Sequence, residues 1–310
     1  MDQLPNFQDL KVSQSSQSFS RKTIGSLDHL LIVLPKKPHT KLFRKLPQGT
    51  QLERIFRRSK IVGSKVVTSR LNNQRDTGIV ISTYTDKSTF QRLTWARKLM
   101  AECLKNNPGT LGISTIGLSK EEKRKVIVAI VAAAEAAVFK LPEFKSVKKS
   151  RSRILKQLKI LDAQPRIDLS EVRASSLGNN VARWLTALPP NELNAKTYRR
   201  MAEQLAKKYG IESEFFGEQK LKKLGAGAFL AVAQGNPNRD AGILRLSYRP
   251  KKQDKPDLAL VGKGILFDTG GTNLKPFKSM LDMHKDMQGS AVALGALIAL
   301  SKLQVTYAID

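Results

Sequence analysis

Short β-branched apolar runs alternate with longer helical patterns along this chain, and that alternation restricts it to an α/β architecture. Leu30 to Leu34 (LLIVL) reads as a buried strand closed by Pro35, and Gly78 to Tyr84 (GIVISTY) as a second. A helical pattern over Phe90 to Leu104 runs into Asn106-Asn107-Pro108-Gly109, and Leu111 to Leu118 reads as a further strand. Ser119 and Glu122 then have capping-box spacing, which starts a helix that runs to about Phe139, with Pro142 beyond it. Its Val126–Ala134 run is apolar and is interrupted by Glu135. These elements predict an α/β domain over residues 26–145, preceded by a polar arm over 1–25.

A basic stretch follows, with Lys145, Lys148, Lys149, Arg151, Arg153, Lys156 and Lys159 and no acid among them. It reads as a solvated linker over 146–168 or an exposed face, or else as a nucleic-acid patch. No aromatics are interleaved, so it is not a stacking platform for single strands. The second region, 169–310, opens with a helix over Leu177 to Leu188 stopped by Pro189-Pro190. Asn194 sits at an N-cap position, a helix covers Ala195 to Tyr209, and Gly210 closes it. Ile211 to Phe216, Phe229 to Ala233, Ile243 to Tyr248, Leu258 to Val261 and Val305 to Ile309 are strand candidates, with a short helix over Glu218 to Leu224. Gly289 to Leu303 reads as a helix whose small residues allow close packing. The apolar run at the end of the given sequence suggests a chain cut short.

Composition narrows the chemistry. The chain has 310 residues, with 54 Lys and Arg against 26 Asp and Glu, a formal charge of +28. Such an excess favours phosphates and other anionic partners without defining a fold, so nucleic acid is a candidate partner. With one cysteine, Cys103, neither an intrachain disulfide nor a cysteine zinc cluster can form. The three histidines are far apart in sequence. A reducing, cytoplasmic compartment fits this usage, and no run reaches the ~20 apolar residues of a membrane span.

The densest group of potentially reactive residues is VGKGILFDTGGTNLKP followed by MLDMHKDMQGSA. It brings Lys263, Asp268, Lys275, Asp282 and Asp286 into one stretch, at the carboxyl end of an expected strand, where α/β sheets place ligands. Loop charges in ordinary salt bridges are one reading. A metal site is the other, since aspartates hold divalent ions through oxygen and a lysine amine can join them once deprotonated. Gly262-Lys263-Gly264 is not a phosphate loop, Gly225-Ala226-Gly227 is not a dinucleotide fingerprint, and Cys103 has no catalytic setting.

Here the sequence resembles the leucyl (cytosol) aminopeptidase family of two-metal exopeptidases. GKGILFDTGGTNLKP and MHKDMQGSA resemble the family's first two metal-binding stretches. NNVARWLTALPPNELNAKTY and LKKLGAGAFLAVAQGN resemble the segments upstream of them. The resemblance is firm over 175–310 and holds only in outline before that. It implies an N-terminal α/β domain followed by the first part of an α/β metallo-exopeptidase catalytic domain with a mixed central sheet. It also implies two divalent ions (Mn, Zn or Mg), with Lys263, Asp268 and Asp286 as ligands and Asp268 shared. Lys275 would be the catalytic cation, facing the substrate, and Met283 would line the pocket for the N-terminal side chain. The implied substrate is a peptide and the implied assembly a homo-hexamer. A third motif, Asn-Thr-Asp-Ala-Glu-Gly-Arg in the family, is not found before Asp310, so the resemblance implies a partial ligand set and little activity for this chain alone. A regulatory protein or a truncated pseudoenzyme on the same fold is the alternative.

Overall fold

The computed structural model describes residues 4–17, 19–59, 66–86, 88–146, 155–251, 253 and 255–310. The chain forms two compact units: residues 8–139 with 145–173, and residues 1–7 with 140–144 and 174–310.

The first unit is built on a sheet of β1 (Lys11–Gln14), β2 (His29–Pro35), β3 (Val67–Arg70), β4 (Gly78–Tyr84), β5 (Thr110–Ser114) and β6 (Gln157–Ile160). Its order is β1-β6-β5-β2-β4-β3, parallel throughout except that β3 runs antiparallel to β4 at one edge. The helices are α1 (Arg21–Ile24), α2 (Thr40–Phe43), α3 (Gly49–Arg58), α4 (Thr89–Cys103) and α5 (Lys120–Val138). The central strand β2 shows why LLIVL carries no polar residue. Leu31 and Val33 face a core shared with α4 and α5, while Leu30, Ile32 and Leu34 face a second core with Phe43, Leu46 and Leu52. A strand covered on both faces is apolar at every position.

The expected capping box is present: Ser119 Oγ accepts from the Glu122 amide at 3.2 Å, and Glu122 Oε2 accepts from the Ser119 amide at 2.9 Å. Cys103 is fully buried, and burial pushes its thiol up to about 12. Two expectations change. Part of the polar arm is strand β1, with Phe7 and Leu10 buried beside it in sequence, because edge pairing to β6 needs backbone groups and only a few apolar anchors. The basic stretch delivers β6 at its end: Gln157 and Lys159 are half-buried while Leu158 and Ile160 are buried. Most of that stretch, 147–154, lies outside the described residues.

The second unit takes in most of α6 (Ser170–Thr186), then α7 (Ala195–Lys208), β7 (Glu212–Gly217), α8 (Glu218–Lys223), α9 (Gly227–Ala233), β8 (Gly242–Ser247), α10 (Phe277–Met280) and α11 (Gln288–Lys302). β7 and β8 pair antiparallel. Asn194 caps α7 through the Thr197 amide at 3.0 Å, and Gly210 takes the left-handed φ of 67° expected after it. The small residues of α11 do permit close packing: a Cβ on Gly295 would lie 2.4 Å from the Gly178 carbonyl oxygen of α6.

Three strand expectations fail here. Phe229–Ala233 belongs to helix α9, where Ala228, Ala231 and Ala233 favour a helix over a pleat and no residue is buried. Leu258–Val261 and Val305–Ile309 form only isolated bridges, Ile309 pairing antiparallel with Tyr248 and parallel with Leu258. Among the described residues, the mixed sheet expected in this unit amounts to those bridges and the β7–β8 pair.

Glu135 interrupts the apolar run of α5 and is itself buried, 1% exposed. Arg173 Nε stands 3.2 Å from Oε1, yet Oε1 receives no aligned hydrogen bond. Burial pushes the carboxyl up to about 7; Arg173 opposes the rise and Asp9 adds to it. The folded state therefore binds this proton more tightly than the unfolded chain, whose carboxyl sits near 4.5, and stability falls as pH rises from about 4.5 to 7. Glu135→Gln should raise the thermal midpoint at pH 8 relative to the native chain, and the gain should vanish at pH 4. The difference should reach up to about 3 kcal/mol in urea titrations at the two pH values.

Candidate functional site

The loop 262–264 and the turn before α11 face each other in the second unit. Gly262 has no room for a side chain: an added Cβ would lie 2.4 Å from Ser290 Cα. The Ser290 amide donates to the Lys263 carbonyl at 2.9 Å. This contact sets the Lys263 ammonium 2.8 Å from Asp286 Oδ2, with Asp286 placed by a short 3₁₀ turn over Met283–Lys285. The lysine is 63% exposed and the aspartate 31%, so the pair is open to an incoming ion.

Asp268 lies next to the turn Thr269-Gly270-Gly271, in which Gly270 has φ 97°. Its Oδ1 accepts from the Gly270 amide at 2.9 Å, and its Oδ2 from Lys275 Nζ at 2.8 Å. Lys275 also donates to the Asp268 carbonyl at 2.9 Å and contacts the Met283 sulfur at 3.5 Å. The Lys275 hydrogen bond and the Gly270 amide hold the Asp268 carboxyl below the usual carboxylate range, with the Lys263 charge adding to the effect. Met283 is buried at 7% exposure.

The structure thus brings Lys263 to Asp286, and Lys275 to Asp268 and Met283. Asp282 pairs with Lys285 at 2.5 Å instead. Ser290, which ties the Lys263 loop to α11, went unnoticed in sequence; the signal was the glycine on either side of Lys263 facing Gly289-Ser290. Among the described residues no three His, Cys, Asp or Glu side chains form a metal cluster. The donor set is two carboxylates and an amine, each carboxylate balanced by a lysine ammonium. Such a set suits a divalent ion, which would take over the neutralising role of Lys263 once that amine gives up its proton.

Comparison with known proteins bears on the same residues. Residues 180–310 match the cytosol aminopeptidase family, catalytic domain. This part of the chain is similar to that catalytic domain. A probable cytosol aminopeptidase of Stutzerimonas stutzeri (strain A1501) is 40% identical over 196 residues, covering 61% of this chain and 38% of that protein. One from Parasynechococcus marenigrum (strain WH8102) is 32% identical over 295 residues, covering 92% of this chain and 60% of that protein. The chain therefore spans less than two thirds of the length of these relatives. The fold is similar to that of apo leucyl aminopeptidase from Trypanosoma cruzi, with a TM-score of 0.72 at 20% identity over 97% of this chain and 61% of that one. It is also similar to the bottromycin maturation enzyme BotP in complex with Mn, with a TM-score of 0.67 at 20% identity over 91% of this chain and 58% of that one.

Gly262→Ala tests the loop-to-helix contact. The added methyl must push Ser290 away, so the chain should lose about 1–3 kcal/mol in urea unfolding. Gly271→Ala is the control for local strain: its φ of 70° disfavours a side chain, but no atom lies within 4 Å of the added Cβ. Equal losses from both would show that backbone strain, not the Ser290 contact, matters at this turn.

Proposed function

We propose that this chain is the metal-binding portion of a metal-dependent aminopeptidase that releases N-terminal residues, leucine among them, from peptides. The observation that carries the reading is the convergence of Lys263 with Asp286, and of Lys275 with Asp268, inside the segment that matches the catalytic-domain family. Lys263, Asp268 and Asp286 would hold divalent ions, two in the complete site; manganese is favoured by the Mn-bound fold neighbour, and zinc and magnesium suit the same donors. When bound, the ions supply Lewis-acid activation of the peptide carbonyl and of water.

The chain's own residues do the rest. Asp268 fixes Lys275 through two acceptors, its carboxylate and its carbonyl, so the ammonium is oriented before substrate arrives. A cation so held can stabilise negative charge that develops on the carbonyl oxygen. The buried thioether of Met283 beside it offers an apolar wall to the N-terminal side chain. With only part of the family's ligand set, the isolated chain is expected to turn over little or no substrate. The relatives' name supports a cytosolic setting, and the family resemblance a hexamer.

The deciding experiment pairs metal binding with hydrolysis. Zn²⁺ or Mn²⁺ titrated into the 310-residue chain should bind, and Lys263→Ala, Asp268→Ala and Asp286→Ala should each weaken binding at least tenfold. Lys275→Ala should leave binding within a few-fold. Native protein from its source should hydrolyse Leu-p-nitroanilide and lose that activity to a chelator. A native protein fully active without metal, or variants that bind as well as the parent, would overturn the reading.

The +28 charge supports a second role, attraction to nucleic-acid phosphates. Binding to a duplex should then weaken steeply between 50 and 200 mM salt; no binding at 50 mM would eliminate it.

A further inference from the structure

Lys263 and Asp286 sit on different segments, and a single serine touches both. The Ser290 amide donates to the Lys263 carbonyl at 2.9 Å and to the Met287 carbonyl at 3.1 Å. The Ser290 hydroxyl donates to the same Met287 carbonyl at 2.7 Å. Met287 is the residue after Asp286. Ser290 therefore fixes the backbone on the carbonyl side of Lys263 and the backbone next to Asp286 at once.

Something must hold Ser290 in turn, and α7 supplies it. Tyr198 Oη lies 2.9 Å from Ser290 Oγ. The serine hydroxyl has one proton and spends it on Met287, so the tyrosine must be the donor in this pair. Burial pushes the Tyr198 phenol up to about 12, which keeps that proton in place at any pH where the protein works. A Cβ on Gly264 would lie 3.3 Å from Ser290 Oγ, so the loop also runs close to this hydroxyl.

We propose that Tyr198, acting through Ser290, is a positioning residue for the Lys263–Asp286 pair. The chain of contacts runs from α7 to the first turn of α11 and from there to both candidate ligands. Removing the phenol oxygen leaves Ser290 Oγ without its donor. The hydroxyl can then rotate off Met287, so the backbone next to Asp286 loses that anchor and the carboxylate shifts against the Lys263 ammonium, while the Ser290 amide still holds the Lys263 carbonyl. The arrangement resembles the outer contacts that orient metal ligands elsewhere, whose loss costs about 10–100-fold in metal affinity. The inference rests on the proposed metal site for its functional meaning but has a readout that does not need metal.

That readout is the Lys263 amine itself. Reductive methylation with ¹³C-formaldehyde labels lysine amines for NMR, and Lys263→Arg identifies the Lys263 signal in the 310-residue chain. In Tyr198→Phe, the Lys263 signal should shift or broaden while the Lys275 signal stays put, and Zn²⁺ affinity on unlabelled chain should fall about tenfold. Ser290→Ala should give the same two changes, and the double variant should be no worse than either single one. Thermal midpoints show whether each variant is folded. An unchanged Lys263 signal and unchanged Zn²⁺ affinity in folded Tyr198→Phe would overturn the proposal, and so would a lowered midpoint alone, which marks a purely structural contact. If the parent chain binds no Zn²⁺, the metal-site reading fails separately, and the Lys263 signal alone decides whether Tyr198 positions the amine.

Discussion

The candidate site depends on one close approach, the backbone of Gly262–Lys263 lying against Gly289–Ser290. Without a Cβ at 262, a loop and a helix start can share a hydrogen bond that a larger residue would push apart. That shared bond converts two sequence-distant segments into one frame. Lys263 and Asp286 meet because their backbones are held, although both side chains are partly exposed. Positions fixed through the main chain suit a ligand set, since the side chains remain free to exchange a lysine–carboxylate contact for a metal.

Charge balance explains how such a set is arranged. Two aspartates in one small region would repel, and each is instead matched with a lysine. The two lysines are not equivalent. Lys275 has acceptors from both the Asp268 carboxylate and its carbonyl, with Met283 behind it, and is tightly placed. Among the described residues Lys263 pairs with the Asp286 carboxylate, and it is the more exposed of the two. The looser lysine is the one proposed as a metal ligand, and the tighter one is the one proposed as the catalytic cation.

Much of this was legible in sequence for identifiable reasons. The strands LLIVL and GIVISTY are buried on both faces, so burial wrote itself into every position. The Ser119 and Asn194 caps are local and need no tertiary context. The candidate site residues stood out because charged groups clustered among glycines. What stayed hidden is long-range. A short apolar run such as Phe229–Ala233 has the same pattern as strand or helix, and its alanines decide for helix. Leu258–Val261 looked like a strand, yet its backbone partners lie at 308–310 and give only a bridge. The edge strand β1 was masked by polar composition. Tyr198 and Ser290 look unremarkable in sequence because what they do depends on a meeting of α7 with α11.

Strongly shifted titratable groups usually point to active sites. Here that guide would mislead. Cys103, raised to about 12, and Glu135, raised to about 7, both owe their shifts first to burial in the first unit, and neither has a partner set that could do chemistry. A thiol at that value is not a nucleophile, and the charges acting on Glu135 are those of Arg173 and Asp9. The candidate site shows the opposite signature: exposed carboxylates, with Asp268 lowered by lysine pairing and a backbone amide. Its electrostatics are those of accessible carboxylates matched by lysine ammonium groups. Burial marks where this chain spends stability; paired, accessible charge on a rigid backbone marks where it can do chemistry.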